Sequence, residues 1–87
     1  MAARRDDAAE AERLFKGASG LFRELAVPFY LAVAELEWSE WLVGEGRGEE
    51  AEPLLAEARE IFERLEAKPW LERLDVVQAG TPTKIPA

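Results

Sequence analysis

Glu10-Ala11-Glu12-Arg13-Leu14-Phe15-Lys16-Gly17-Ala18-Ser19-Gly20-Leu21-Phe22-Arg23-Glu24-Leu25 returns forty residues later as Glu50-Ala51-Glu52-Pro53-Leu54-Leu55-Ala56-Glu57-Ala58-Arg59-Glu60-Ile61-Phe62-Glu63-Arg64-Leu65. Identities fall at Glu10/Glu50, Ala11/Ala51, Glu12/Glu52, Leu14/Leu54, Ala18/Ala58, Phe22/Phe62 and Leu25/Leu65, and Leu21/Ile61 is conservative. Alanine, glutamate and leucine recur in any amphipathic helix. Chance repetition of prolines and aromatics is harder, and after one extra residue, Lys68, the match resumes with Pro28-Phe29 answered by Pro69-Trp70. A period of about forty with two helices per unit is the mark of a helical repeat.

Working outward, the apolar residues Leu14, Phe15, Ala18, Leu21, Phe22 and Leu25 advance in steps of one and three, the stripe of a helix and not the alternation of a strand. This predicts a first helix over about 6–26. Pro28 marks a boundary, because the residue before a proline avoids the helical region while proline suits a first turn. A second helix then runs from Pro28 to Gly44, and its apolar residues surround most of the cylinder, as in a helix packed on several sides. Gly44-Glu45-Gly46-Arg47-Gly48 can cap that helix and turn into the next. The third helix is expected over 49–67, with acids in its first turn where the macrodipole favours them. A fourth starts at Pro69, turns Trp70, Leu71, Leu74 and Val77 inward, and ends near Gly80. The expected organisation is one helical domain over 6–79 and a proline-bearing tail over 80–87.

Composition narrows the function. The chain has 87 residues, 48% apolar, with 18 acids against 11 bases, a net charge of -7, and neither Cys nor His. Disulfides and the usual zinc, haem and iron-sulfur ligand sets are excluded, so no metal or cofactor is expected. Cysteine nucleophiles, imidazole bases and the Ser-His-Asp triad go with them, which speaks against an enzyme. Acidity speaks against nucleic-acid binding, which needs clustered Lys and Arg. The longest nearly uncharged run, Leu25 to Ala34, is ten residues, about half of the ~20 that cross a bilayer. Arg4 and Arg5 have no apolar segment behind them, so neither a secretory nor a twin-arginine signal is expected, and the expected location is cytoplasmic.

From Gly46 through Ala51, Leu55 and Ala58 the chain resembles the turn and second helix of a tetratricopeptide repeat, in which a turn glycine precedes small, large and small residues at a tight helix crossing. The family's proline after the second helix is matched by Pro69 and, in the preceding unit, by Pro28. Its large-small-large pattern in the first helix falls on Trp38, Ser39 and Leu42, whereas its usual early aromatic falls on Glu35, a departure. The period also exceeds the family's usual length of about thirty-four. Long units of this kind are similar to the C-terminal helical arrays of bacterial signalling ATPases, nucleotide-cyclase-associated regulators and transcriptional activators. The likeness covers about 10–74. It implies an all-α fold of antiparallel helical hairpins, about four helices wound as a superhelix, serving as a non-catalytic protein-interaction module. The alternative is a C-terminal structural segment of a larger regulatory ATPase or cyclase-type protein.

Chemical candidates weigh little beside this. Glu35, Glu37 and Glu40 stand close on helix two beside Trp38 and Trp41, but two carboxylates make a glycosidase only across a defined cleft, and solvated acids on an apolar helix explain them. Ser39 is expected at a tight packing position, and neither it nor Ser19 has a base. The glycine-rich turn lacks the Lys-Ser/Thr of a phosphate loop. Trp38 is expected against helix three.

The family likeness carries the concave ligand-binding face onto Val33, Leu36, Glu40 and Val43, joined by Trp41, because some face of so apolar a helix points away from its neighbours. Three of the first four are aliphatic, which suits an apolar protein surface or a second copy, as in a homodimer. Repeat units rarely bury their faces alone, helix one lacks a preceding partner, and helix four lacks a follower. An exposed apolar face covered by association is therefore expected.

Overall fold

A computed structural model describes residues 5–79, with side chains from residue 8 onward. Its elements are α1 (Arg5–Glu24), α2 (Pro28–Gly44), α3 (Gly48–Arg64) and α4 (Lys68–Ala79). The fold is all-α, consecutive helices forming antiparallel hairpins, as expected. Residues 80–87, read as a tail, lie outside the described residues.

Each connection is three residues long and built alike. Ala26, Gly46 and Glu66 take left-handed backbone, with φ of 57°, 77° and 55°. Beyond each, the next amide reaches back five residues: Val27 N–H to Phe22 O (3.2 Å), Arg47 N–H to Leu42 O (2.8 Å), and Ala67 N–H to Phe62 O (2.9 Å). These bonds satisfy carbonyls that a helix end otherwise leaves open, and the left-handed residue reverses the chain. The third helix therefore stops at Arg64, earlier than the expected Ala67, and the fourth begins at Lys68, which leaves Pro69 inside its first turn.

Packing makes α2 the centre: α1, α3 and α4 all touch it, and α3 packs on it most extensively. Its apolar circumference requires this, since no single neighbour could cover it. Leu31, Leu36, Leu42, Leu55, Phe62 and Leu74 form the core, with Ala51 and Ala58 as the small residues that let α3 approach. Ser39, fully buried, is the small residue on the α2 side and donates its hydroxyl to Glu35 O at 2.7 Å. Trp70 stacks on Phe62 with ring centres 5.8 Å apart and meets Phe29 edge-on. The fourth helix thus docks where its aromatic predicts.

Two placements correct the sequence reading. Trp38, expected against α3, stacks on α1 with its ring parallel to Phe15 at 6.3 Å while also lying against the buried core. Leu36, assigned to an open face, is fully buried in the core.

Candidate functional site

The expected inner stripe of α1 is the part of the molecule left bare. Leu14, Leu21 and Leu25 are 61%, 51% and 60% exposed, and Tyr30 at the start of α2 is 57% exposed. Most of their repeat equivalents fare differently: Ile61 is buried and Leu54 and Leu71 pack against the core, although Leu65, which answers Leu25, is also 45% exposed. The reason is topological. Helix α3 has α2 along one side and α4 beside it, whereas among the described residues α2 is the one helix that packs along α1.

Between α1 and α2 this leaves a groove of about 380 Å³. Leu14, Phe15, Ala18 and Phe22 form one wall. Tyr30, Val33 and Ala34 form the other, with Glu37 at the rim. Phe22 and Tyr30 lie 5.8 Å apart, and Tyr30 continues through Phe29 to Phe62, so the groove floor is tied to the core by an aromatic chain. An apolar ligand entering this groove would therefore meet preformed walls.

The five residues expected to bind a partner do not share one surface. Val33 lines the groove, while Leu36 lies beneath it in the core. Glu40 is engaged by α4: Arg73 donates to both of its carboxylate oxygens at 2.7 Å and stacks over Trp70. Trp41 is half-buried beneath Arg47 and against Phe15, and Val43 packs partly on the core. Leu14, Leu21, Leu25 and Tyr30 are the residues that reading missed. Nothing in the stripe itself set them apart, because Leu14, Leu21 and Leu25 read along the chain like Leu54, Ile61 and Leu65.

The three acids of α2 are also dispersed. Glu37 is exposed at the groove rim and Glu40 is paired, whereas Glu35, read as solvated, is fully buried. Neither Glu35 carboxyl oxygen receives a hydrogen bond. Arg23 of α1 stands 3.6 Å away but turns its donors to Glu57 of α3, at 3.0 and 3.1 Å. Burial, together with the neighbouring Glu57 carboxylate, pushes the Glu35 carboxyl up to about 9. Hydrogen bonds from Arg23, aided by Glu35, hold Glu57 down to about 2. Glu35 is thus held as a neutral acid and Glu57 as a carboxylate, with Arg23 reaching from α1 to both, so that the cluster spans three helices. Being sealed from solvent, Glu35 meets no substrate.

Salt bridges fasten the remaining helix contacts. Arg47 donates to Glu12 of α1 (2.9 Å) and to Glu50 of α3 (2.7 Å), and Arg59 joins Asp75 of α4. Among the described residues, no group of three or more acids could hold a metal, and no helix is long and apolar enough to cross a membrane. Comparison with protein-family models, curated proteins and solved structures finds no match for this chain.

Proposed function

We propose that the chain is a non-catalytic, cytoplasmic protein-interaction module of the tetratricopeptide type, which works by burying the α1–α2 groove against another protein surface. The observation that carries this is the contrast between repeat-related positions, Ala58, Ile61 and Phe62 covered and Ala18, Leu21 and Phe22 uncovered or half-covered. Apolar side chains left in water at positions that the same chain elsewhere buries are a surface awaiting a partner. A photo-crosslinking amino acid in place of Leu21, introduced in the host cell, tests the reading. Intermolecular adducts are expected there, to a copy of the chain or to another protein, and not from the same residue at Val76. Equal or absent crosslinking at the two positions sinks it.

A second reading makes the chain the closing stretch of a longer regulatory array. It is favoured by the contrast between the two outer helices. Helix α4 turns Glu72, Asp75 and Gln78 outward, the polar face of an array's end, while α1 turns leucines outward.

A further inference from the structure

The geometry points to a dimer in which two copies of this chain lay α1 antiparallel against α1 across a two-fold axis, Gly17 and Ala18 at the crossing. The inference rests on the interaction-module reading and names the partner of its groove as a second copy.

Four observations converge. The first is the molecule's own precedent for covering this stripe: on α3 the repeat-related residues Ala58, Ile61 and Phe62 are buried beneath neighbouring helices, α2 running antiparallel alongside. The second concerns which surface of a copy can supply such a helix. On α4 the large apolar residue that stands exposed is Val76, set beside Glu72 and Asp75, so a head-to-tail contact of α4 on α1 would press acids onto leucines. The α1 face is the surface that matches itself, as an isologous contact requires.

The third observation is charge. The chain carries -7 overall, yet between residues 8 and 25 three acids, Glu10, Glu12 and Glu24, are balanced by Arg13, Lys16 and Arg23. Two copies thus approach by a segment with no net charge; α4 is balanced as well, Lys68 and Arg73 against Glu72 and Asp75, but it exposes no leucine. The fourth is the pair of glycines inside α1. Gly17 and Gly20 weaken the helix relative to alanine, and a Cβ at either would meet nothing within 4 Å, so the chain's own packing does not require them. Gly17 sits between Leu14 and Leu21 on the exposed side, where a missing side chain lets another backbone come close. About a two-fold axis there, Leu14 meets the partner's Leu21, and Leu21 meets the partner's Leu14.

Absence of any native cysteine makes a direct test simple. A residue beside a two-fold axis lies next to its own copy, so mild oxidation of Gly17→Cys should yield a disulfide-linked dimer, while Val76→Cys on α4 stays monomeric. Sedimentation equilibrium of the unmodified chain from micromolar to millimolar should show a monomer–dimer equilibrium. Leu21→Glu should weaken it by more than about tenfold, with unchanged helical circular dichroism because position 21 is half exposed in the monomer. A monomer throughout, an open series of larger assemblies, Leu21→Glu dimerising as the parent does, or Val76→Cys crosslinking as readily as Gly17→Cys would each overturn the dimer. Crosslinks at position 21 to another protein alone would overturn it too, while leaving the interaction-module reading standing.

Discussion

Burial without a hydrogen-bond donor makes the charged form of Glu35 costly, and its environment answers by favouring the neutral acid up to about pH 9. The sign of the consequence follows. A carboxyl whose folded pKa lies above its ordinary 4.5 gives its full stability below that value and loses it progressively as pH rises toward 9. Glu57, held down to about 2, works the other way and loses its contribution as pH falls from 4.5 toward 2. Stability should therefore decline from mildly acidic to alkaline pH. Glu35→Gln keeps the shape and removes the titration, so its melting temperature should match the parent near pH 5 and exceed it near pH 9. The gain there should be about 1–3 kcal/mol, the usual penalty of an unsatisfied buried polar group. Each kcal/mol is roughly 4–8 °C at this size, readable by thermal circular dichroism. A parent curve as flat as the variant's would refute the assignment.

Connections set the geometry of the elements, and the three left-handed residues are not equally suited to it. Glycine enters that region freely, whereas a side chain there costs roughly 1–2 kcal/mol. Of Ala26, Gly46 and Glu66, only Gly46 has the suitable residue. Ala26→Gly and Glu66→Gly should each stabilise the fold by about 0.5–1 kcal/mol after allowing for the freer unfolded chain. Gly46→Ala should cost about 1 kcal/mol. Chemical denaturation of the three single variants checks this, and a loss on Ala26→Gly would show that its turn is held by something other than backbone conformation. The glycine-rich turn was legible because its residues advertise it. Ala26 and Glu66 carry no such signal, and only their spacing of twenty from Gly46 betrays the shared role.

At the scale of the whole molecule, the same side chain has two values. Phe62, fully buried between α2 and α4, should cost about 3–5 kcal/mol on truncation to alanine. That is a large part of the about 4–13 kcal/mol expected for a domain of 87 residues. Phe22→Ala, at the repeat-related place on the half-open wall, should cost about half as much in the dilute monomer. If α1 pairs with α1, the gap between the two variants should narrow as protein concentration rises, because association stabilises the folded state. Added salt should favour pairing, since each copy carries -7 and screening shortens the reach of that repulsion to about 8 Å at physiological ionic strength.

By itself the sequence determined the helices, their order, the hairpin turn at Gly46 and the central place of α2. These depend on spacing, prolines, glycines and a repeat, all of which are local along the chain. It placed Ser39, Ala51, Ala58 and Trp70 correctly in the packing, because small residues and aromatics at repeat-related positions admit few alternatives. Which face stayed open was a different matter. The apolar stripe of α1 reads like that of α3, and exposure depends on whether another helix happens to lie alongside. Tertiary structure alone decided that Leu36 is core, that Leu14, Leu21 and Leu25 are surface, and that Glu35 is sealed among three helices. Burial is a property of neighbours distant in sequence, and a repeat that predicts two equal stripes cannot say which one the chain lacks a helix to cover.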